Sequence, residues 1–326
     1  MTANNTRSIN SAELYSPPPA SALPLAAITP TQAGISSGRL AQTLDSPIPG
    51  YSLPPGSFNQ VQADFNGDGQ EDLLWRNYSS GQNTVWVMNS TTVASYAALS
   101  TVKDPNWRIQ GSGDFTGDGK VDILWRNYST GQNVIWVMNG TTQISVVSLS
   151  VVNITSWQIQ GTGDFTGDGQ TDILWRNYDT GKNVIWAMSG TTLNTVVNLT
   201  PVPGSNLRIA ATGDFDRDGQ LDILWRNYLS GDNVVWLMNR TEVSRVAPLL
   251  PVPALDWQIR GVGDYNNDGK LDLVWRSGSA GKVAVWLMDD LTFRESVSLT
   301  AVLDPNWQIA KQDVLISPGL VTISNL

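Results

Sequence analysis

The chain has no cysteine and no histidine in 326 residues. Disulfides, thiol nucleophiles, imidazole bases and zinc sites built on those side chains are therefore excluded together. Long apolar runs are absent too. No stretch approaches the roughly 20 residues of a membrane-spanning helix, and the amino terminus, with Arg7 and a short apolar run over 22–28, is a poor secretory signal. A protein of this kind that reaches the cell surface is expected to use another route, or to have had its signal removed. Carboxylates free for acid–base work are scarce: Glu13, Glu71, Glu242 and Glu295 share no repeat position or motif. Without a catalytic constellation, the expectation is that the protein is not an enzyme.

Aspartate is what the chain has in pattern. The stretch Asp64-Phe65-Asn66-Gly67-Asp68-Gly69-Gln70-Glu71-Asp72 returns at 114–122, 164–172, 214–222 and 264–272, giving five copies at a period of 50 residues. Its first position is Asp64, Asp114, Asp164, Asp214 and Asp264, and its fifth is Asp68, Asp118, Asp168, Asp218 and Asp268. The third position is Asn66, Thr116, Thr166, Asp216 and Asn266; the ninth is Asp72, Asp122, Asp172, Asp222 and Asp272. Together these side chains offer an oxygen cage for a hard cation. The seventh residues, Gln70, Lys120, Gln170, Gln220 and Lys270, add a backbone carbonyl. Gly69, Gly119, Gly169, Gly219 and Gly269 supply the freedom to turn sharply around an ion. Duplicated Asp-Gly turns without an ion would have no reason to keep the first, fifth and ninth carboxylates while the seventh and eighth positions drift.

The loop is not an EF-hand. Its twelfth position, where an EF-hand places a bidentate Glu, is Trp75 and Trp in every other copy. The segment after the loop is short, apolar and aromatic, as in Ile123-Leu124-Trp125, and reads as strand. In the second unit the succession is Trp107–Gly111, the loop, Asp122–Arg126, a turn at Tyr128-Ser129-Thr130-Gly131, Asn133–Met138, a hairpin at Asn139-Gly140, and Gln143–Leu149. Four strands with apolar residues on both faces belong between like sheets. A repeat of this length signals a propeller blade.

The run Gly113-Asp114-Phe115-Thr116-Gly117-Asp118-Gly119-Lys120-Val121-Asp122-Ile123 resembles the FG-GAP/VCBS repeat, the unit of integrin-alpha-type β-propellers. The resemblance covers roughly 57–313. It implies a calcium ion in each loop between the first and second strands of a blade, about five ions in all, on the first, third, fifth and ninth positions given above. Thr116 and Thr166 depart from an amide or carboxylate and imply weaker sites; Asp216 adds a carboxylate and implies the tightest. The expected fold is all-β, a propeller of four-stranded blades with five full repeats over 57–326. A sixth blade, begun by Trp307-Gln308-Ile309, would be completed by residues between about 34 and 53. A five-bladed ring with extra tails is the rival.

The net charge of −9 is mostly loop charge. Sixteen of the 29 acids stand at ligand positions, leaving 20 bases against 13 acids elsewhere. Five dications would bring the chain to about +1, so the acidity speaks against a nucleic-acid partner. Residues 1–56, rich in Pro, Ser and Ala, read as an extended arm or linker, or as an arm packed on the domain or on a neighbouring subunit. The fourteen Trp are expected in the core, and Arg76 and its copies are expected to stack on aromatics or pair with loop Asp. Tyr78, Tyr128, Tyr178 and Tyr228, each after an Asn in the second turn, are candidate ligand plates on the end opposite the loops, or else copied, partly buried turn aromatics. Calcium sites of micromolar to millimolar affinity stay filled outside cells. The function expected is thus a secreted or cell-surface recognition module for glycan or protein, adhesion-like in character. The alternative is a structural subunit of a surface layer, sheath or filament, self-associating through 1–56.

Overall fold

A computed structural model describes residues 64–154, 156–204, 206–303 and 306–309. The arm over 1–56, and the 34–53 segment expected to complete a sixth blade, lie outside them. The first unit gives β1 Leu73–Asn77, β2 Asn83–Asn89 and β3 Thr92–Leu99. The second gives β4 Trp107–Gly113, β5 Asp122–Asn127, β6 Asn133–Asn139 and β7 Thr142–Ser148. In the third are β8 Trp157–Gly163, β9 Asp172–Asn177, β10 Asn183–Ser189 and β11 Thr192–Leu199. The fourth holds β12 Leu207–Gly213, β13 Asp222–Asn227, β14 Asn233–Asn239 and β15 Glu242–Leu249. The fifth holds β16 Trp257–Gly263, β17 Asp272–Ser277, β18 Val283–Asp289 and β19 Thr292–Leu299, and β20 is Trp307–Ile309.

The second to fifth units are each a four-stranded antiparallel sheet, β20 completes the sheet of the first, and the five sheets stand in a ring as a β-propeller. Burial grades outward from the axis. β4, β8, β12 and β16 touch one another as the inner strands. β5, with sequence DILWRN, is buried at every residue, because its two faces meet the two neighbouring blades. β7 has only exposed and half-buried positions, as an outer strand with one wet face does. The cores therefore lie between blades. One joins Phe165, Leu174 and Ile185 to Ile209, Trp225 and Met238 across the third and fourth. Within a blade Trp125 lies against Trp136 with ring centroids 4.7 Å apart, a pairing worth about 1 kcal/mol beyond the area buried.

The ring closes with five blades, not six. Trp307-Gln308-Ile309 does not begin a new unit; β20 pairs with β1 as Trp75↔Ile309, Arg76↔Gln308 and Asn77↔Trp307. That is the register β4 holds on β5, with Ile109↔Trp125, Arg108↔Arg126 and Trp107↔Asn127. The split blade is the first, three strands from the start of the repeats and one from the end. The closing seam has its own core, where Leu73, Trp75 and Ile309 meet Tyr265, Val274 and Val285. Glycines permit the close fit between blades: a Cβ on Gly163 would stand 2.3 Å from Leu221, the eighth loop residue of the next blade.

Candidate metal centre

The first-position Asp organises each loop before any ion is considered. Asp64 accepts from the backbone N–H of Gly67 (2.7 Å), Asp68 (3.2 Å) and Gly69 (2.8 Å). Asp114 and Asp164 repeat the three bonds. The fifth-position Asp accepts from the N–H two residues on in all five loops, as Asp118 does from Lys120 at 3.0 Å. These bonds curl the backbone into a cup and require a left-handed residue at the sixth position, which Gly119 takes with φ 78°. The fourth position is left-handed too, with Gly67, Gly117 and Gly167 giving way to Arg217 (φ 62°) and Asn267 (φ 63°). From the sequence, only the sixth had been expected to turn this way.

The ninth-position Asp does something the spacing did not show. Asp122 is fully buried, one oxygen accepting from Phe115 N–H (3.1 Å) and the other from Met138 N–H (2.9 Å). It thereby ties the loop to the end of the third strand, just beyond the last backbone pair. Asp72, Asp172, Asp222 and Asp272 make the same two bonds. Burial pushes these carboxyls up, to about 6 for Asp72 and Asp172, about 7 for Asp272 and about 8 for Asp222, against the opposing pull of the backbone donors.

The seventh side chains are also engaged. The Gln70, Gln170 and Gln220 amide oxygens accept from the backbone N–H of Ser90, Gly190 and Arg240, at the tip of their own blade's outer hairpin. Lys270 instead pairs with Asp289. That leaves the seventh backbone carbonyl, rather than its side chain, as the oxygen available to a cation. The hairpin tips in turn brace the preceding blade's loop. Ser90 Oγ donates to Tyr265 O (2.9 Å), and Asp290 pairs with Arg217 at 2.7 Å. This bracing had no sequence signal, since the five tips carry four residue types, Ser90, Gly140, Gly190, Arg240 and Asp290.

The donor set of the fourth loop fits a hard dication; among the described residues the carboxylates of the other loops do not converge in this way, and the ninth-position Asp222 stands outside the group. In the fourth loop Asp214, Asp216 and Asp218 bring carboxylate oxygens within 4.8 Å of one another. Asp216 Oδ1 is buried without a hydrogen-bond partner among the described residues. Burial raises both Asp214 and Asp216, with Asp218 adding repulsion, which a positive charge between them would relieve. In the first and fifth loops the third-position amide spans the gap, with Asn66 and Asn266 donating to Asp68 and Asp268.

Of the two forms the sequence allowed for the tyrosine turn at the other end, the structure has partly buried turn aromatics and not exposed plates. Tyr78, Tyr128, Tyr178 and Tyr228 are half-buried. Their rings lie under guanidinium groups: Arg126 stands 5.2 Å from Tyr128, and Arg108 lies 5.4 Å from Tyr78 and 5.5 Å from Tyr128. Tyr128 and Tyr178 donate their hydroxyls to Gln110 and Gln160, and burial pushes Tyr178 up to about 12. The neighbouring amides are taken as well; Asn127 accepts from Ser129 and Thr130 N–H within the turn. The repeated arginines do stack, but they lie far from the loops. Arg126 is buried, its guanidinium 5.0 Å from Trp175 of the next blade. It donates to Gly131 O, Asn133 Oδ1 and Val152 O and so stitches the blade crossover.

The family models agree with this architecture. The family model of the FG-GAP-like repeat matches residues 114–175 and 164–225, and that of the FG-GAP repeat matches 61–88 and 261–288. No curated protein matches the chain. Among solved structures, a chain of the nidogen/laminin complex is 12% identical at a TM-score of 0.42, covering 71% of this chain and 98% of its own. The Photorhabdus luminescens Tc holotoxin pore is 15% identical at 0.40 over 76% of this chain and 13% of its own. The V. cholerae biofilm matrix protein Bap1 is 17% identical at 0.30 over 76% and 39%. With repeat models aligned on all five loops and a ring of four-stranded blades built around them, the chain belongs to the FG-GAP repeat family.

Proposed function

We propose that the protein is a calcium-binding β-propeller that acts outside the cell or at its surface as a recognition module for glycan or protein, without catalytic activity. The observation that carries the reading is the fourth loop, where three carboxylates converge and one buried oxygen lacks any other partner among the described residues. Calcium accepts such oxygen sets readily, and sites of this class fill where calcium is abundant. Among the described residues no helix is long and apolar enough to cross a membrane. Because the tyrosine faces are covered by arginine, recognition is assigned to the loop end of the ring, where calcium would stiffen the cups and their bracing hairpins.

Two measurements test the reading. Calcium should raise the melting temperature and chelator should reverse the effect; identical curves would contradict the metal assignment. A glycan array read with calcium and with chelator, alongside light scattering, should give calcium-dependent hits from a monomer. Large ordered particles without glycan hits would favour the structural-subunit alternative.

A further inference from the structure

The five hairpin tips that lean on neighbouring loops are Ser90, Gly140, Gly190, Arg240 and Asp290. Four of them offer no spare positive charge. Ser90 is bonded to the adjoining loop backbone, two are glycines, and Asp290 is paired with Arg217. Arg240 differs. Its guanidinium lies over Gly167 of the third loop, where a Cβ would stand 3.3 Å from Nε. Its side chain makes no hydrogen bond or ion pair with the described residues, and it is exposed. At this seam, between the third and fourth blades, a cleft of about 470 Å³ opens, lined by Asp164, Gly167, Gly219, Asn239 and Arg240 over a floor at Phe165. That volume lies within the range of small-ligand sites and suits one or two sugar rings.

The lining decides the ligand class. Asp164 is turned into its own loop by three backbone N–H donors and is one of the oxygens assigned to the cation there, so the charged group left to face a ligand is the guanidinium, which suits a carboxylate. Gly167 and Gly219 line the cleft without side chains, and Asn239 presents an exposed amide for hydroxyl groups. Phe165 is only 1% exposed, so its ring offers no surface to a peptide's aromatic or aliphatic anchor. We propose that this cleft binds the carboxylate of an acidic sugar residue, with Arg240 as the ion-pairing group and Asn239 beside it. The proposal refines the glycan-recognition reading above and rests on it.

The test uses a glucuronate-containing disaccharide and its carboxyl-reduced counterpart, titrated calorimetrically into the full chain with calcium present. The acidic form should bind at least about tenfold tighter than the reduced form. Arg240→Gly places at this tip the residue that two sister blades carry, so the fold tolerates it; it should abolish the preference. Arg240→Asp, the residue type of the fifth tip, should remove binding of the acidic form. Equal binding of both sugars, or a preference that survives Arg240→Gly, overturns the cleft while leaving glycan recognition elsewhere on the ring intact. If neither sugar binds and an acidic peptide binds in an Arg240-dependent way, the sugar assignment is wrong.

Discussion

A buried cation and a buried anion mark every blade, and they answer to different partners. Arg126 is held by carbonyl and amide oxygens of the crossover and by aromatic faces, while burial pushes its guanidinium below the usual range. Lysine cannot reproduce that fork, so Arg126→Lys is expected to cost about 2–3 kcal/mol in chemical denaturation; a loss near zero would mean the crossover is held by backbone bonds alone. Asp122 serves two backbone donors with two oxygens. Asp122→Asn turns one acceptor into a donor facing an N–H and is expected to cost about 2 kcal/mol with chelator present as well as with calcium. Asp118, whose backbone bond lies at the exposed cup, should behave otherwise. Asp118→Ala is expected to reduce the calcium-induced rise in melting temperature and Asp218→Ala to reduce it more, because the fourth cup gathers three carboxylates. Equal losses in calcium-dependent stability would argue against ranking the cups by carboxylate count.

Elements were legible wherever one physical demand set the sequence. The apolar run of β6, the doubly buried run of β5 and the hairpin at Asn139-Gly140 follow from faces that meet other sheets and a turn that needs a left-handed residue. The cups were legible because oxygen spacing repeats. The partner of each group stayed hidden. The ninth Asp could be counted as an oxygen from the sequence, but its contact with Met138 N–H lies across a strand pair and leaves no mark on local spacing. The tyrosines could be read as surface plates or as partly buried turn aromatics because their turn is polar; the arginine that covers Tyr78 from the second blade sits 30 residues away, at Arg108. Glycines separate by the same logic of partners. Around Gly119 the space a Cβ would enter is open to 4 Å, so Gly119→Ala carries only the left-handed penalty, roughly 1 kcal/mol. A Cβ on Gly131 would meet Val152 O at 2.3 Å, backbone against backbone, and Gly131→Ala is expected to cost about 3 kcal/mol. Thermal melts of the two variants side by side check the contrast, and similar melts would mean the crossover yields freely.

At the scale of the ring, blade number depended on a question the repeats do not answer: which end of the chain supplies the missing strand. Counting loops gives five, and a sixth start at Trp307 invites a sixth blade. The inner slot on β1 is filled instead by β20, because Trp307-Gln308-Ile309 repeats the inner-strand pattern and meets the register that the other blades use. Closure of this kind makes stability a property of the whole ring: β1 is an unpaired edge and the core between the fifth and first blades loses Ile309 if β20 leaves. A chain ending at Leu303 is therefore expected to melt well below the full chain, and to associate through the bared edge, in light scattering. Calcium should offset part of the loss, since binding to the native state at a hundredfold excess over Kd adds about 2.7 kcal/mol per site. Calcium cannot restore the missing ladder, however, so association should persist in calcium. A shortened chain that stays monomeric and melts with the full-length protein would show that β20 is dispensable, and that the ring holds by its side-chain seams alone.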